Sequence, residues 1–242
     1  MRMSEKGVGL LLGAARELGI ELEPYLDQFL LLYQRLMEAN QITNLTAIRD
    51  EAGVILKHFV DSLSCLKSEK LSGELKVVDV GTGAGFPGLP LKIVKRELEM
   101  SFLDATKKKI EFIEGVCREL GLSNTHCIWG RAEELGWKTG HREAYDRVLS
   151  RAVASLDTLS ELCLPLVKVG GIMIVQKGPG VRNELNRARG AIRTLGGALA
   201  DVITFDLPVL GEPRSLVIIE KIQTTPPGFP RRVGVPAKNP LS

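Results

Sequence analysis

An acid followed by three glycines at alternate positions, Asp79, Gly81, Gly83 and Gly85 in VVDVGTGAGFPG, is the group of residues in this chain best suited to holding a ligand. Val77, Val78 and Val80 read as a buried strand. Glycine after a strand allows backbone angles that a Cβ forbids and lets the chain approach a bound group closely. Asp79 could hold the turn through its N–H groups or, through water, an ammonium on the ligand. Gly83, Gly85 and Gly88 also satisfy the G-x-G-x-x-G spacing of dinucleotide sites. A dinucleotide site aims an open helix N-terminus at a pyrophosphate, whereas Phe86 and Pro87 stand at this entry and suit an apolar wall. The stretch favours S-adenosylmethionine over NAD. A tight packing turn without a ligand is the bland alternative.

The next strand, SFLDAT, ends on Asp104, about 20 residues beyond the glycines, where an acid can accept hydrogen bonds from both ribose hydroxyls. Such a carboxylate serves an NAD site equally, and Asp104 could instead cap the following helix, as could Thr106. After the third strand, Arg131, Ala132 and Glu133 fall where an adenine edge would lie. After the fourth, Ser150, Arg151 and Ala152 face the expected entry of a methyl acceptor. Arg151 is the best candidate for touching cofactor or nucleotide, against the alternative that it merely pairs with an acid.

What is missing narrows the acceptor. Exocyclic base amines are methylated by sites with an Asn or Asp-Pro-Pro-aromatic run after the fourth strand, and here the chain reads SRAVA. Attack at pyrimidine C5 needs a cysteine nucleophile, but Cys163 lies in the helical run SELCLPL without a Pro-Cys pair. An acceptor with an exposed lone pair, such as guanine N7, needs orientation rather than a general base.

The elements that position these residues follow from periodicity. Helical spacing covers 5 to 18, 24 to 40 and about 51 to 67. Strands at 76 to 80, 100 to 104, 125 to 129, 145 to 150 and 171 to 176 alternate with helices at 87 to 96, 107 to 120, 155 to 168 and 181 to 195, with GRAEELG as a loop. This alternation demands a parallel sheet covered on both faces, with ligands outside the carboxyl ends of its strands. DVITFDLP and RSLVIIEKI close it as an antiparallel pair, the ending of a seven-stranded methyltransferase sheet. The domains expected are a helical extension over 1–70, a methyltransferase domain over 71–222, and a tail over 223–242.

With 242 residues the chain suffices for one α/β domain with an extension. The absence of a bilayer-length apolar run or a signal-peptide pattern leads us to expect a cytoplasmic protein. Cys65, Cys117, Cys127 and Cys163 show no CxxC pairing and sit in apolar surroundings, and His58, His126 and His141 are scattered, so buried free thiols and no metal site are expected. Net charge is +3. The Pro-rich tail carries Arg231, Arg232 and Lys238 without an acid, and could follow a phosphate backbone or dock across the fold as a strap. Lys107, Lys108 and Lys109 form a second basic cluster, either an RNA contact or a solvated helix face.

Taken together, NLTAIRD, HFVDSL, VVDVGTGAGFPGLPLKI, FLDATKKKIEFI, GRAEE, YDRVLSRAVA, GGIMIVQKG and FPRRVGVPAKNPL closely resemble the bacterial 16S rRNA guanine-N7 methyltransferases, the RsmG or glucose-inhibited division protein B family, over nearly the whole chain. The resemblance implies a class I S-adenosylmethionine-dependent α/β fold, Rossmann-like, with a mostly parallel seven-stranded sheet, an antiparallel last strand and a small N-terminal helical extension. It implies action on a guanine of 16S rRNA, within the small ribosomal subunit or an assembly intermediate. It places cofactor contacts at Gly81, Phe86, Asp104, Ala105, Thr106, Ala132, Glu133 and Arg151, with Asp79, Gly83 and Gly85 lining the loop. RNA contacts at Lys107 to Lys109, Arg231, Arg232 and Lys238 are a separate electrostatic expectation, and a monomer without metal is expected. A dehydrogenase, a binding module without turnover, and a methyltransferase for a protein or small metabolite are the rival readings.

Overall fold

The computed structural model describes residues 2–151 and 154–241. Helix α1 (Glu5–Glu17) begins where the Ser4 side chain accepts from the Gly7 N–H, a cap that satisfies one of the free donors of the first turn. Helix α2 (Leu26–Thr43) ends at Asn44 in the left-handed conformation. The third expected helix is divided: α3 (Glu51–Val54), a π turn over Ile55–Val60, α4 (Asp61–Leu63) and a 3-10 turn over Ser64–Ser68. Arg151 Nη1 donates to the Lys57 carbonyl at 3.0 Å. A side chain reaching into the helical hydrogen-bond ladder is the kind of contact that accompanies a widened turn.

Seven strands follow: β1 (Lys76–Val80), β2 (Glu99–Asp104), β3 (Thr125–Trp129), β4 (Tyr145–Arg151), β5 (Val167–Lys177), β6 (Gly197–Leu207) and β7 (Glu212–Lys221). Their order is β3-β2-β1-β4-β5-β7-β6. β1 to β5 pair in parallel, and β7 runs antiparallel between β5 and β6. The chain reverses its winding direction between β1 and β4, which opens a crevice at the carboxyl ends there.

The helices between strands are α5 (Gly88–Val94), α6 (Lys107–Glu119), α7 (Ala132–Leu135), α8 (Leu156–Cys163) and α9 (Val181–Thr194), with α10 (Val235–Lys238) in the tail. GRAEELG therefore contains the short helix α7 rather than only a loop. α8 stops at Cys163 instead of running to 168, because Pro165 supplies no N–H and disfavours helix before it. β5 then starts early, at Val167, and its pairing shifts register before Ile172.

Alternate strand residues face opposite layers. Val77, Met100 and Phe102 share one apolar cluster with Leu11, Phe29, Leu36 and Phe59, so the N-terminal helices are built into the layer covering that face. Val78, Val80, Val148 and Val175 face the other cluster, with Leu159 of α8 and Ala188 of α9. Among the described residues no helix is long and apolar enough to cross a membrane.

The tail docks across the fold as a strap. Arg231 forms a charge-assisted fork with the buried Glu161 of α8, with Nη2 2.6 Å from Oε2 and Nε 2.9 Å from Oε1, and its own backbone N–H donates to Oε1 at 2.7 Å. Arg142 donates to the carbonyls of Thr225 and Phe229, and Trp137 Nε1 to that of Pro230. The cysteines are free, as expected, although Cys127 is only half-buried.

Candidate functional site

The glycine turn after β1 is pinned from both sides. The N–H groups of Gly81 and Thr82 donate to the Leu103 carbonyl at 2.9 and 3.0 Å, drawing the turn to the end of β2. Gly83 has φ +62° with open space where a Cβ would stand, so its backbone is bare toward a ligand. Gly85 has φ +94°, and a Cβ there would lie 2.3 Å from Leu89 Cδ1.

Asp79 lies beneath this turn, fully buried. Its Oδ2 accepts from Thr82 Oγ1 at 2.7 Å and from the Gly88 N–H at 2.9 Å, while Oδ1 has no partner. Burial pushes its carboxyl up to about 6. The turn-holding role expected of it is thus made through one oxygen, and the other awaits a donor.

Asp104 joins two turns. Oδ2 accepts from the Gly83 N–H at 3.0 Å and Oδ1 from the Thr106 N–H at 2.8 Å, with Lys109 Nζ 3.8 Å from Oδ2. Thr106 is the residue at the cap of α6, without a side-chain capping bond. Gly81, Asp104, Ala105, Thr106, Ala132 and Glu133 all line one cavity of about 280 Å³ at the ends of β1, β2 and β3. Glu133 also reaches the strap, its Oε1 accepting from the Gly234 N–H at 3.0 Å.

Phe86 follows the turn directly, and Arg151 ends β4. The Phe86 ring stacks on His58 at a centroid distance of 4.6 Å and 2° between planes, and the Arg151 guanidinium lies 5.4 Å from its centre. Arg151 also contacts His58 Nδ1 at 3.2 Å and Asp61 Oδ2 at 3.3 Å, so it does pair with an acid while facing the crevice. It lines a second cavity of about 400 Å³ with Lys57, Asp61, Gln176, Lys177 and Arg214. Ser150 Oγ donates to the Val80 carbonyl at 3.0 Å and ties β4 to β1. Ala152 is outside the described residues.

Because arginine only donates, His58 Nδ1 accepts from Arg151 and its protonated Nε2 donates to Thr46 Oγ1 at 2.7 Å. Burial, then the Arg151 charge, lowers its ring from 6.5 to about 3. Below pH 6.5 an unfolded chain takes up a proton that the folded one refuses. The stability tied to this neutral ring is complete above pH 6.5 and is lost as pH falls toward 3. Urea unfolding of the parent and a His58→Gln variant at pH 7.5 and 4.5 should show their stability difference shrinking by about 2.6 kcal/mol at the lower pH. Asp79, whose raised carboxyl acts in the opposite direction, cancels in that difference. A difference independent of pH would refute the neutral-ring assignment.

The basic candidates separate. Lys107 and Lys108 are exposed on the first turn of α6, Lys107 lying 5.6 Å from the Trp129 ring centre. Lys109 turns back toward Asp104. Arg232 and Lys238 are exposed on the strap. Arg231, in contrast, has its guanidinium engaged by Glu161 and the Asn239 carbonyl. His58, Asp61, Gln176 and Arg214 were not anticipated from the sequence. The available signal was HFVDSL, where His58 and Asp61 interrupt a buried apolar stretch three residues apart. Among the described residues no cluster of His, Cys, Asp and Glu could hold a metal.

The site fits S-adenosylmethionine. Asp104 and Glu133 offer carboxylates around one cavity, the Phe86 ring that follows the turn lies against Arg151, and the Asp79 Oδ1 oxygen is buried without a partner.

Comparison with known proteins agrees with this geometry. The family model GidB, rRNA small subunit methyltransferase G, matches residues 25–209. Proteins named ribosomal RNA small subunit methyltransferase G are similar over nearly the whole chain. That of Deinococcus deserti is 48% identical over 99% of this chain and 98% of its own. That of Alkaliphilus metalliredigens is 46% identical over 96% of this chain and 98% of its own. Among solved structures, a SAM dependent methyltransferase from Aquifex aeolicus superposes with a TM-score of 0.52 at 19% identity, over 73% of this chain and 96% of the other. The [4+2]-cyclase SpnF superposes with a TM-score of 0.55 at 15% identity, over 79% and 92%. The structural likenesses establish the seven-stranded methyltransferase fold and nothing about substrate.

Proposed function

Given that this chain belongs to the GidB family of rRNA small subunit methyltransferases, we propose that it transfers a methyl group from S-adenosylmethionine to N7 of one guanine in 16S rRNA. The observation that carries this reading is the pair of cavities at the carboxyl ends of the strands, one at β1, β2 and β3 bearing Gly81, Asp104 and Glu133, the other at β4 and β5 lined mostly by cations. The bound cofactor supplies an electrophilic methyl on a sulfonium. Asp104 and Glu133 would hold its nucleoside end, Asp79 Oδ1 would accept from a donor, and the Phe86 ring lies against Arg151, which lines the second cavity.

No general base is required. The N7 lone pair is already exposed, and the imidazole of His58 has both nitrogens engaged, one accepting from Arg151 and the other bonded to Thr46. The protein's contribution is alignment of acceptor and methyl, which converts a bimolecular encounter into an oriented one. The decisive experiment incubates the protein with labelled S-adenosylmethionine and small ribosomal subunits lacking the modification, then cleaves the RNA with borohydride and aniline. A single new cut in 16S rRNA supports donor, acceptor atom and substrate together. Label without a cut rejects N7, and absence of label despite cofactor binding rejects the finished subunit as the substrate and points to another acceptor or a missing assembly partner.

The exposed cations Lys107, Lys108, Arg232 and Lys238 supply the surface for the RNA backbone. Each contacted phosphate contributes about 0.7 to the log-log salt dependence of binding on single strands. A Lys108→Glu and Arg232→Glu double variant should therefore bind RNA more weakly, with a slope shallower by about 1.4 and unchanged cofactor affinity. Parental affinity and slope would remove these two residues from the interface.

A further inference from the structure

Gln176, next to last in β5, is 4% exposed and lines the cavity beside Arg151. Its Nε2 donates to the Asp61 carbonyl at 2.6 Å and to Ser64 Oγ at 3.2 Å. The Ser64 hydroxyl hydrogen is in turn given to the Asp61 carbonyl at 2.6 Å. These bonds settle the orientation of the amide, since flipping it would set its oxygen against a carbonyl. Gln176 Oε1 is left buried without any donor. A buried acceptor left unpaired is costly, and native structures rarely keep one without a use.

The other groups around the cavity already have partners. Lys57 pairs with Glu212 at 2.8 Å, Lys177 with Glu184 at 2.7 Å, and Asp61 is shared by Arg151 and Arg214 at 3.3 and 3.1 Å. The lining carries Lys57, Arg151, Lys177 and Arg214 against the single acid Asp61. With their partners Glu212 and Glu184 counted, the four cations meet three acids, and the positive charge left over suits a group attached to phosphates. The ligand best matched to the cavity is a nucleotide whose base brings an N–H to Gln176.

We propose that this cavity receives the acceptor guanine, and that Gln176 Oε1 accepts a hydrogen bond from the exocyclic amino group, the donor farthest across the ring from N7. The inference rests on the methyl-transfer reading above and adds to it the residue that selects the base. Adenine has no amino group at that position. Gln176 acts as a specificity residue, holding the ring so that N7 faces the methyl-donor side of the crevice.

The test compares small subunits reconstituted with guanine or with inosine at the methylated position, because inosine keeps N7 and lacks only the amino group. Rates are normalised to the reactivity of each N7 toward dimethyl sulfate in the free RNA. For the parent protein, kcat/KM should fall about tenfold or more with inosine. In a Gln176→Leu variant, guanine should fall to near the inosine level and the ratio should approach one, with S-adenosylmethionine affinity by calorimetry unchanged. A parent that methylates both equally overturns the inference without needing a variant. So does a folded Gln176→Leu protein that keeps the parental ratio, as a merely structural role would. If the parent methylates neither RNA despite binding cofactor, the methyl-transfer reading itself fails.

Discussion

Replacing Asp104 with alanine should weaken S-adenosylmethionine binding by about 30- to 1,000-fold, the equivalent of about 2 to 4 kcal/mol, from the loss of two charge-assisted hydrogen bonds to the ribose. The carboxylate has about four lone-pair sites. Two are used by the N–H groups of Gly83 and Thr106, which leaves two for a diol. The same two backbone bonds hold the glycine turn against the start of α6, so the alanine variant also loosens the cradle. Asp104→Asn keeps one good acceptor and should fall between parent and alanine. Calorimetric titration decides the matter, and an unchanged Kd for Asp104→Ala would refute the ribose role.

The largest effect on stability should come from Arg231→Ala. Glu161 is fully buried and its carboxylate receives three bonds from the Arg231 side chain and one from its backbone N–H. Removing one partner of such a pair leaves an uncompensated charge, at a cost of about 3 to 5 kcal/mol. Urea unfolding should record that loss. Pairing Arg231→Met with Glu161→Leu should restore much of it, because replacing both charges removes the stranded carboxylate. A single variant as stable as the parent would mean that the strap is not anchored there. Release of the strap also frees Glu133 from the Gly234 N–H, so cofactor affinity should fall with stability.

The parts of the site visible in the sequence are those in which a few neighbouring residues carry the whole signal. A valine strand, alternate glycines and an acid at the next strand end form a local pattern, and the structure brings Gly81, Asp104, Ala105, Thr106, Ala132 and Glu133 to one cavity. Phe86 reads locally only as an apolar wall, and its cofactor contact rests on the family resemblance, because nothing local indicates that His58 and Arg151, from two other elements, will close on its ring. Gln176 gave no signal, since its significance lies in a bond that is missing. The tail was ambiguous for a different reason: its cations look the same in sequence whether they are free or, like Arg231, paired with an acid 70 residues away. The early end of α8 was legible in Pro165, but the apolar run LCLPLV carried the helical pattern past it.

The chain contains two tryptophans, and each indole N–H is tied to a carbonyl on a different segment near the cavity at the ends of β1, β2 and β3. Trp129 donates to the carbonyl of Ala105, on the loop that bears Asp104, and Trp137 to that of Pro230, on the strap that reaches Glu133. Both rings are more than half exposed, at 60% and 51%. Intrinsic emission from this protein is therefore a built-in optical gauge with one emitter bonded to the loop after β2 and one to the strap, and Trp→Phe replacement at either position would assign a ligand-induced change in intensity to the loop or to the strap without any attached dye.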